Sequence, residues 1–156
     1  MLEGQLYQLG FVCDNLEDGI ASFRGRGMTH EPHIIEVDQP VNAPDGREVI
    51  NKIRLCFIWI GDIQYELIQP IEDPLGIYAN APANGGPLRF HQVCFRVKDW
   101  ADFRARVDQQ DLPLAMERDM GGDNLKFLYL DGREKFGHYL EYTWMTDAAW
   151  DQIRAM

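Results

Sequence analysis

The chain is 156 residues long, with 46% apolar and 26% charged residues, which suits one compact domain or two small halves sharing a core. Its formal charge of −10 argues against nucleic acid or an anionic membrane as partner, since both need clustered lysine and arginine. No apolar run approaches the roughly 20 residues of a membrane span, and the opening MLEGQLYQLG lacks the basic region of a signal peptide, so a cytoplasmic location is expected.

The first expected strand is 6–13 (LYQLGFVC), where Leu9, Phe11 and Cys13 alternate with Gln8, Gly10 and Val12. Asp14 or Asn15 can cap the helix that follows, and Glu17 and Asp18 suit its positive end. That helix carries Leu16, Ile20 and Phe23 on one face and stops near Gly25 and Gly27. A short strand around 33–37 comes next, then an exposed loop with Pro40, Pro44, Asp45 and Gly46. Strands 53–60 (IRLCFIWI) and 63–69 (IQYELIQ) are joined by Gly61-Asp62, a two-residue turn of the glycine-first hairpin type.

Residues 70–88 hold four prolines, three glycines and no apolar periodicity, and read as a linker. The order strand, helix, strand, strand, strand then repeats. Strand 90–97 leads into an amphipathic helix over 99–110, with Trp100, Phe103 and Val107 on its buried side. Strands 112–117, 124–130 and 137–144 follow, and Thr146 or Asp147 can cap a last helix over 148–154. Cys13, Cys56 and Cys94 form no CxxC pair, fall in expected strands and read as reduced core residues.

The repeat extends to single residues. QLGFVCDNL from Gln8 lies over QVCFRVKDW from Gln92, and YELI from Tyr65 lies over LEYT from Leu140, which matches Glu66 to Glu141. Each of these glutamates sits mid-strand among apolar neighbours. An ionised carboxylate there is costly unless it is neutralised, paired or bound to a metal, so two in matching places point to a shared polar site. A structural ion pair with Arg96, Arg54 or Arg89 is the plainer account of the same carboxylates. Alternation places Gln8 opposite to Leu9 and Phe11, and Glu66 opposite to Tyr65 and Leu67. It also turns Gln92 inward and His91 outward, unless a bulge adds a residue and reverses His91. His30 and His33 fall near an expected mouth of the site, and His138 falls on the helix side.

A twofold strand-helix-three-strand unit with these phrases resembles the vicinal oxygen chelate superfamily, which includes glyoxalase I, methylmalonyl-CoA epimerase, extradiol dioxygenases and the bleomycin-resistance proteins. The likeness covers 6–144 and is strongest to a glyoxalase-like branch that opens with a Q-x-G-[FY]-V strand and carries an ELI-Q fourth strand. It implies an α+β fold in which two tandem βαβββ units, 6–69 and 89–144, form a cup-shaped mixed sheet, with a C-terminal helix at 146–155 outside. By position it implies a divalent metal ion (Zn, Ni, Co, Mn, Fe or Mg) held by Gln8, Glu66, Glu141 and either His91 or Gln92, but not both. No organic cofactor is implied.

The same resemblance implies a small-molecule lyase, isomerase or epimerase. Metal-assisted proton transfer on a carbonyl-bearing substrate would use Glu66 or Glu141 as the base, with Tyr139, Met116 and Trp59 lining the pocket. The family often has histidine where this chain has Gln92. That departure supports a second expectation, a metal-free binding protein of the bleomycin-resistance type, while buried glutamates without a metal could still move protons. A homodimer is expected in either case.

Overall fold

The computed structural model describes residues 3–28, 30–119 and 124–155. The first unit runs β1 (Gln5–Val12), α1 (Leu16–Ala21), β2 (His33–Asn42), β3 (Glu48–Ile60) and β4 (Ile63–Glu72). The second runs β5 (Arg89–Arg96), α2 (Trp100–Val107), β6 (Leu114–Arg118), β7 (Leu125–Leu130), α3 (Arg133–Phe136) and β8 (Tyr139–Met145), and α4 (Asp147–Arg154) closes the chain.

Equivalent caps start the two main helices. Asn15 Oδ1 accepts from the Asp18 amide and Asp99 Oδ1 from the Asp102 amide, each at 2.9 Å. Leu16, Ile20 and Phe23 of the first helical segment are buried against Cys13, Cys56, Ile58 and Leu67. Trp100, Phe103 and Val107 do the same against Leu128, Leu130, Leu140 and Tyr142. Burying one such apolar side chain contributes about 1.5–3 kcal/mol, so each helix is fixed to the outside of its own sheet by these contacts.

In each unit the first and fourth strands pair in parallel and the others antiparallel. Antiparallel pairing of β1 with β5 joins the units, and a single registered pair, Asn42 opposite Glu117, links β2 to β6. The eight strands thus close into a barrel in the order β1-β4-β3-β2-β6-β7-β8-β5. Among the described residues no helix is long and apolar enough to cross a membrane.

Several boundaries differ from the sequence reading. Strand β2 continues through Pro40 to Asn42, and β3 begins at Glu48, so the expected loop contracts to the turn at Ala43–Arg47. Proline is tolerated in β2 because that strand has a second neighbour only at Asn42. The segment read as a linker is ordered by Asp73, whose carboxylate accepts from the amides of Ile77, Tyr78 and Ala79 at 3.1, 2.8 and 3.2 Å. It forms a 3-10 turn at Tyr78–Asn80 and buries Ile77 and Tyr78. The four-residue α3, ended by Gly137 at φ +79°, is too short to leave a periodic signature.

Candidate active site

Two β-bulges set the site. Leu6 faces Phe95 and Gln8 faces Cys94, which makes Tyr7 an extra residue in β1; Gly10 faces Gln92 and Phe11 faces Phe90, which makes His91 an extra residue in β5. The repeat lays Tyr7-Gln8 over His91-Gln92, so the irregularities are equivalent. A bulge lets adjacent side chains share a face. Tyr7, Gln8, His91 and Gln92 are all buried as a result. The outward position that alternation assigned to His91 is therefore replaced by an inward one, against the rings of Tyr78, Tyr129 and Tyr139.

Parallel pairing sets Glu66 beside Gly10 and Glu141 beside Cys94. Gln92 crosses over Gly10 to reach both carboxyls. Its Nε2 lies 3.0 Å from Glu66 Oε2, 3.5 Å from Glu141 Oε2 and 3.0 Å from the Tyr129 hydroxyl. Thr143 Oγ1 donates to the second oxygen of Glu141 at 3.3 Å. The ion pairs expected for these glutamates are not formed. Arg54, Arg89 and Arg96 turn outward to Glu17, Asp14 and Asp147, because each lies near an exposed carboxylate that stays hydrated.

Without a cationic partner, burial raises both carboxyls, Glu141 to about 7. Glu66 is raised well above its ordinary value by burial and then by the charge of Glu141. The hydrogen bonds of His91 lead the same way. Its Nε2 is 3.0 Å from the Ile77 carbonyl, which can only accept, so Nε2 carries a hydrogen. Its Nδ1 meets Gln92 Oε1. If that oxygen stays there, both ring nitrogens carry hydrogen. If the amide is turned end for end, a neutral imidazole accepts from it, and Glu66 must be protonated to donate to the amide oxygen. Burial holds the His91 imidazole below its ordinary pKa, which favours the second arrangement and leaves the proton on Glu66.

Beside the carboxyls, two residues along β1 and β4 from Gly10 and Glu66, Gln8 Nε2 donates to Gln64 Oε1 at 2.8 Å. Both amides, both glutamates and Tyr129 line a cavity of about 450 Å³. Its remaining wall is mainly apolar, with Ile53, Leu55, Phe57, Ile68 and Phe127 prominent. Of the histidines, His33 lies on this wall, while His30 is exposed and His138 is half-buried with Nδ1 2.8 Å from the Tyr139 carbonyl.

The residues expected to line the pocket lie behind the wall. Tyr139 accepts from Asn80 at 3.4 Å, Met116 Sδ from Asn51 at 3.7 Å, and Trp59 Nε1 donates to the Ile153 carbonyl at 3.1 Å. Trp59 is drawn outward because α4 packs there with Trp150, and Ile153 of that helix reaches the cavity instead. Sequence reasoning passed over Gln64, Tyr78, Thr143 and the bare surface of Gly10. Gln64 and Thr143 each lie two residues from a singled-out glutamate, so strand alternation already carried their signal.

The sequence matches the Glyoxalase/Bleomycin resistance protein/Dioxygenase superfamily over residues 7–129. The chain belongs to this superfamily. Methylmalonyl-CoA epimerase from Mycobacterium tuberculosis has a similar structure, at 18% identity, TM-score 0.60 and coverage of 97% of each chain. A variant of the Streptomyces coelicolor epimerase in complex with 2-nitronate-propionyl-CoA is similar at 16% identity and TM-score 0.61, over 92% of this chain and 96% of that one. The hypothetical protein BH1468 from Bacillus halodurans C-125 follows at 15% identity and TM-score 0.58, over 92% and 95%. No curated protein sequence matches. At these identities the structures establish a shared fold.

The resemblance implies a divalent metal ion, and the donors at the expected positions do not fit a transition metal. Two carboxylates and two amides occupy them, and amides are weak ligands for such ions. The neighbouring imidazole is committed through Nε2 to Ile77 and through Nδ1 to Gln92. Gln8 is tied to Gln64, and the space between the carboxyls is spanned by the Gln92 amide. Among the described residues no three His, Cys, Asp or Glu side chains converge in a metal-binding group.

Proposed function

We propose that this member of the superfamily is an isomerase or epimerase that moves a proton at a carbon beside a carbonyl group, using Glu66 and Glu141 as an acid–base pair without a metal. The observation that carries this reading is the pair itself: two buried carboxyls on the wall of a largely apolar cavity, spanned by one amide, with no lysine or arginine among the described residues hydrogen-bonded to either. Superfamily membership and the likeness to epimerase folds support it.

Glu141, whose carboxyl burial raises to about 7, is partly ionised near neutral pH and serves as the base. It takes the proton from the carbon, and the electron pair of the broken C–H bond moves to the carbonyl oxygen as an enolate. Glu66 retains its proton and returns it to the carbon, the C=C electron pair forming the new C–H bond while the carbonyl is restored. Proton transfer back between the carboxyls, through the intervening amide and Tyr129 or through solvent, resets the site. Hydrogen-bond donors on the wall, among them the Tyr129 hydroxyl, steady the oxygen while it bears charge.

Substrates are small and largely apolar in this reading. Among the described residues Arg118 is the only lysine or arginine on the cavity wall, a poor match for a polyphosphate carrier. The test is solvent exchange: a ketone with an acidic α-carbon, such as 2-hydroxyacetophenone, is incubated in D₂O and followed by proton NMR. Protein-dependent loss of the α-proton signal, abolished in Glu141→Gln, is expected. Binding with no exchange would instead indicate a sequestering protein of the kind that the apolar wall also suits.

A further inference from the structure

The paired amides of Gln8 and Gln64 have no part in the acid–base step, yet both are buried on the cavity wall, at 4% and 1% exposure. Their single mutual hydrogen bond leaves Gln8 Oε1 and Gln64 Nε2 with no partner. Buried polar groups in native proteins are almost always satisfied, so an open donor and an open acceptor on one hydrogen-bonded pair signal a missing group. This pattern survives any joint rotation of the amides. With Gln8 donating, its oxygen and the Gln64 nitrogen stay open; with Gln64 donating, the Gln8 nitrogen and the Gln64 oxygen do. One donor and one acceptor always remain.

We infer that the Gln8–Gln64 pair is the substrate-recognition element of the cavity, and that it reads a neutral group carrying an acceptor oxygen next to a donor, as in an α-hydroxy carbonyl compound. The amide N–H donates to the carbonyl oxygen and the amide oxygen accepts from the neighbouring hydroxyl. A carboxylate, with acceptors only, leaves the open amide oxygen unmatched, and an ammonium leaves the open N–H unmatched. This assignment rests on the proton-transfer reading for its catalytic meaning. In that reading the same N–H stabilises the oxygen that becomes the enolate, so the pair both selects the substrate and aligns its acidic carbon.

The experiment compares 2-hydroxyacetophenone with 2-methoxyacetophenone, which differ in the hydroxyl donor, by ligand-observed NMR titration. The intact protein is expected to bind the hydroxyketone at least tenfold more tightly. The ratio should fall to near one in the similarly sized Gln8→Met/Gln64→Met variant and persist in Glu66→Gln. Equal affinity in the intact protein, no binding of either compound, or a ratio unchanged in the double variant would overturn the assignment. Deuterium exchange into the hydroxyketone separates the two ideas. Discrimination without exchange defeats the proton-transfer reading and leaves recognition standing, whereas exchange without discrimination does the reverse.

Discussion

Gln92 lies across Gly10. The two are register partners in β5 and β1, and a β-carbon on residue 10 would come within 2.1 Å of Gln92 Cδ and 2.4 Å of its Oε1. Only a glycine leaves room for the amide to cross the strand and meet both carboxyls. Gly10→Ala should therefore displace Gln92 and destabilise the fold by about 1–3 kcal/mol, the usual range for overpacking. Proton exchange should drop on the order of tenfold, equivalent to about 1.4 kcal/mol of lost positioning. Gly86→Ala, in an exposed loop with its nearest contact at 3.4 Å, is the control and should stay within about 0.5 kcal/mol of the parent. Denaturant titration and the exchange rate read both effects.

Stability should fall as pH rises across the window set by Glu141. Its carboxyl goes from the ordinary 4.5 to about 7 in the folded protein, so between these values the folded state binds more protons than the unfolded chain. The stabilising contribution is complete below 4.5 and is lost as pH climbs through 7. For this group alone the displacement corresponds to roughly 3 kcal/mol. Glu66 is shifted in the same direction and deepens the slope. Glu141→Gln, which cannot ionise, should be more stable than the parent at pH 8 by about 1–3 kcal/mol while losing proton exchange. Melting curves from pH 4 to pH 8 on both proteins decide this, and a variant less stable at every pH would refute it.

What could be read in the sequence was local or repeated. Matching Glu66 to Glu141 and Gln8 to Gln92 needed only the two copies and strand alternation, and the caps at Asn15 and Asp99 announce themselves. The bulge at Tyr7 left no signal, and the one at His91 entered only as the alternative to strict alternation, because a bulge is a property of the pair of strands. Burial of Ile77 and Tyr78 was hidden for a related reason. Prolines and glycines dominate the local signal of 70–88, while the residues that count are pulled in by the barrel. The arginines show the limit of alternation: Arg96 finds Asp147 across 51 residues, a partner that its own strand does not predict.

Asp73 should matter to the site although it touches none of its reactive groups. Its carboxylate gathers three backbone amides and so fixes Ile77, whose carbonyl accepts from His91, and Tyr78, whose ring lies 5.4 Å from His91. Asp73→Ala removes these bonds and should cost about 1–2 kcal/mol, as for the loss of a strong helix cap. Proton exchange should fall more than affinity for 2-hydroxyacetophenone, since His91 and Gln92 shift while the Gln8–Gln64 pair, which is bonded to itself and not to either of them, does not. Separate determination of Kd and exchange rate checks the split.

Gln92→His is the sharpest probe of why the donor set does not fit a transition metal. At present the two carboxyls share one amide and retain a proton, and the neighbouring imidazole is held to the backbone by Ile77. An imidazole at residue 92 replaces a weak ligand by a strong one between two carboxylates. It should also lower the pKa of both, because a bound dication favours their ionised forms. The variant should take up close to one Co²⁺, Ni²⁺ or Zn²⁺ per chain, with visible absorption for Co²⁺, where the parent takes up little. The metal should be lost again on adding Glu66→Gln. Elemental analysis after dialysis measures each step. Stoichiometric metal in the parent would overturn the metal-free reading of the site, and none in the variant would mean that residue 92 cannot bring a ligand to the carboxyls.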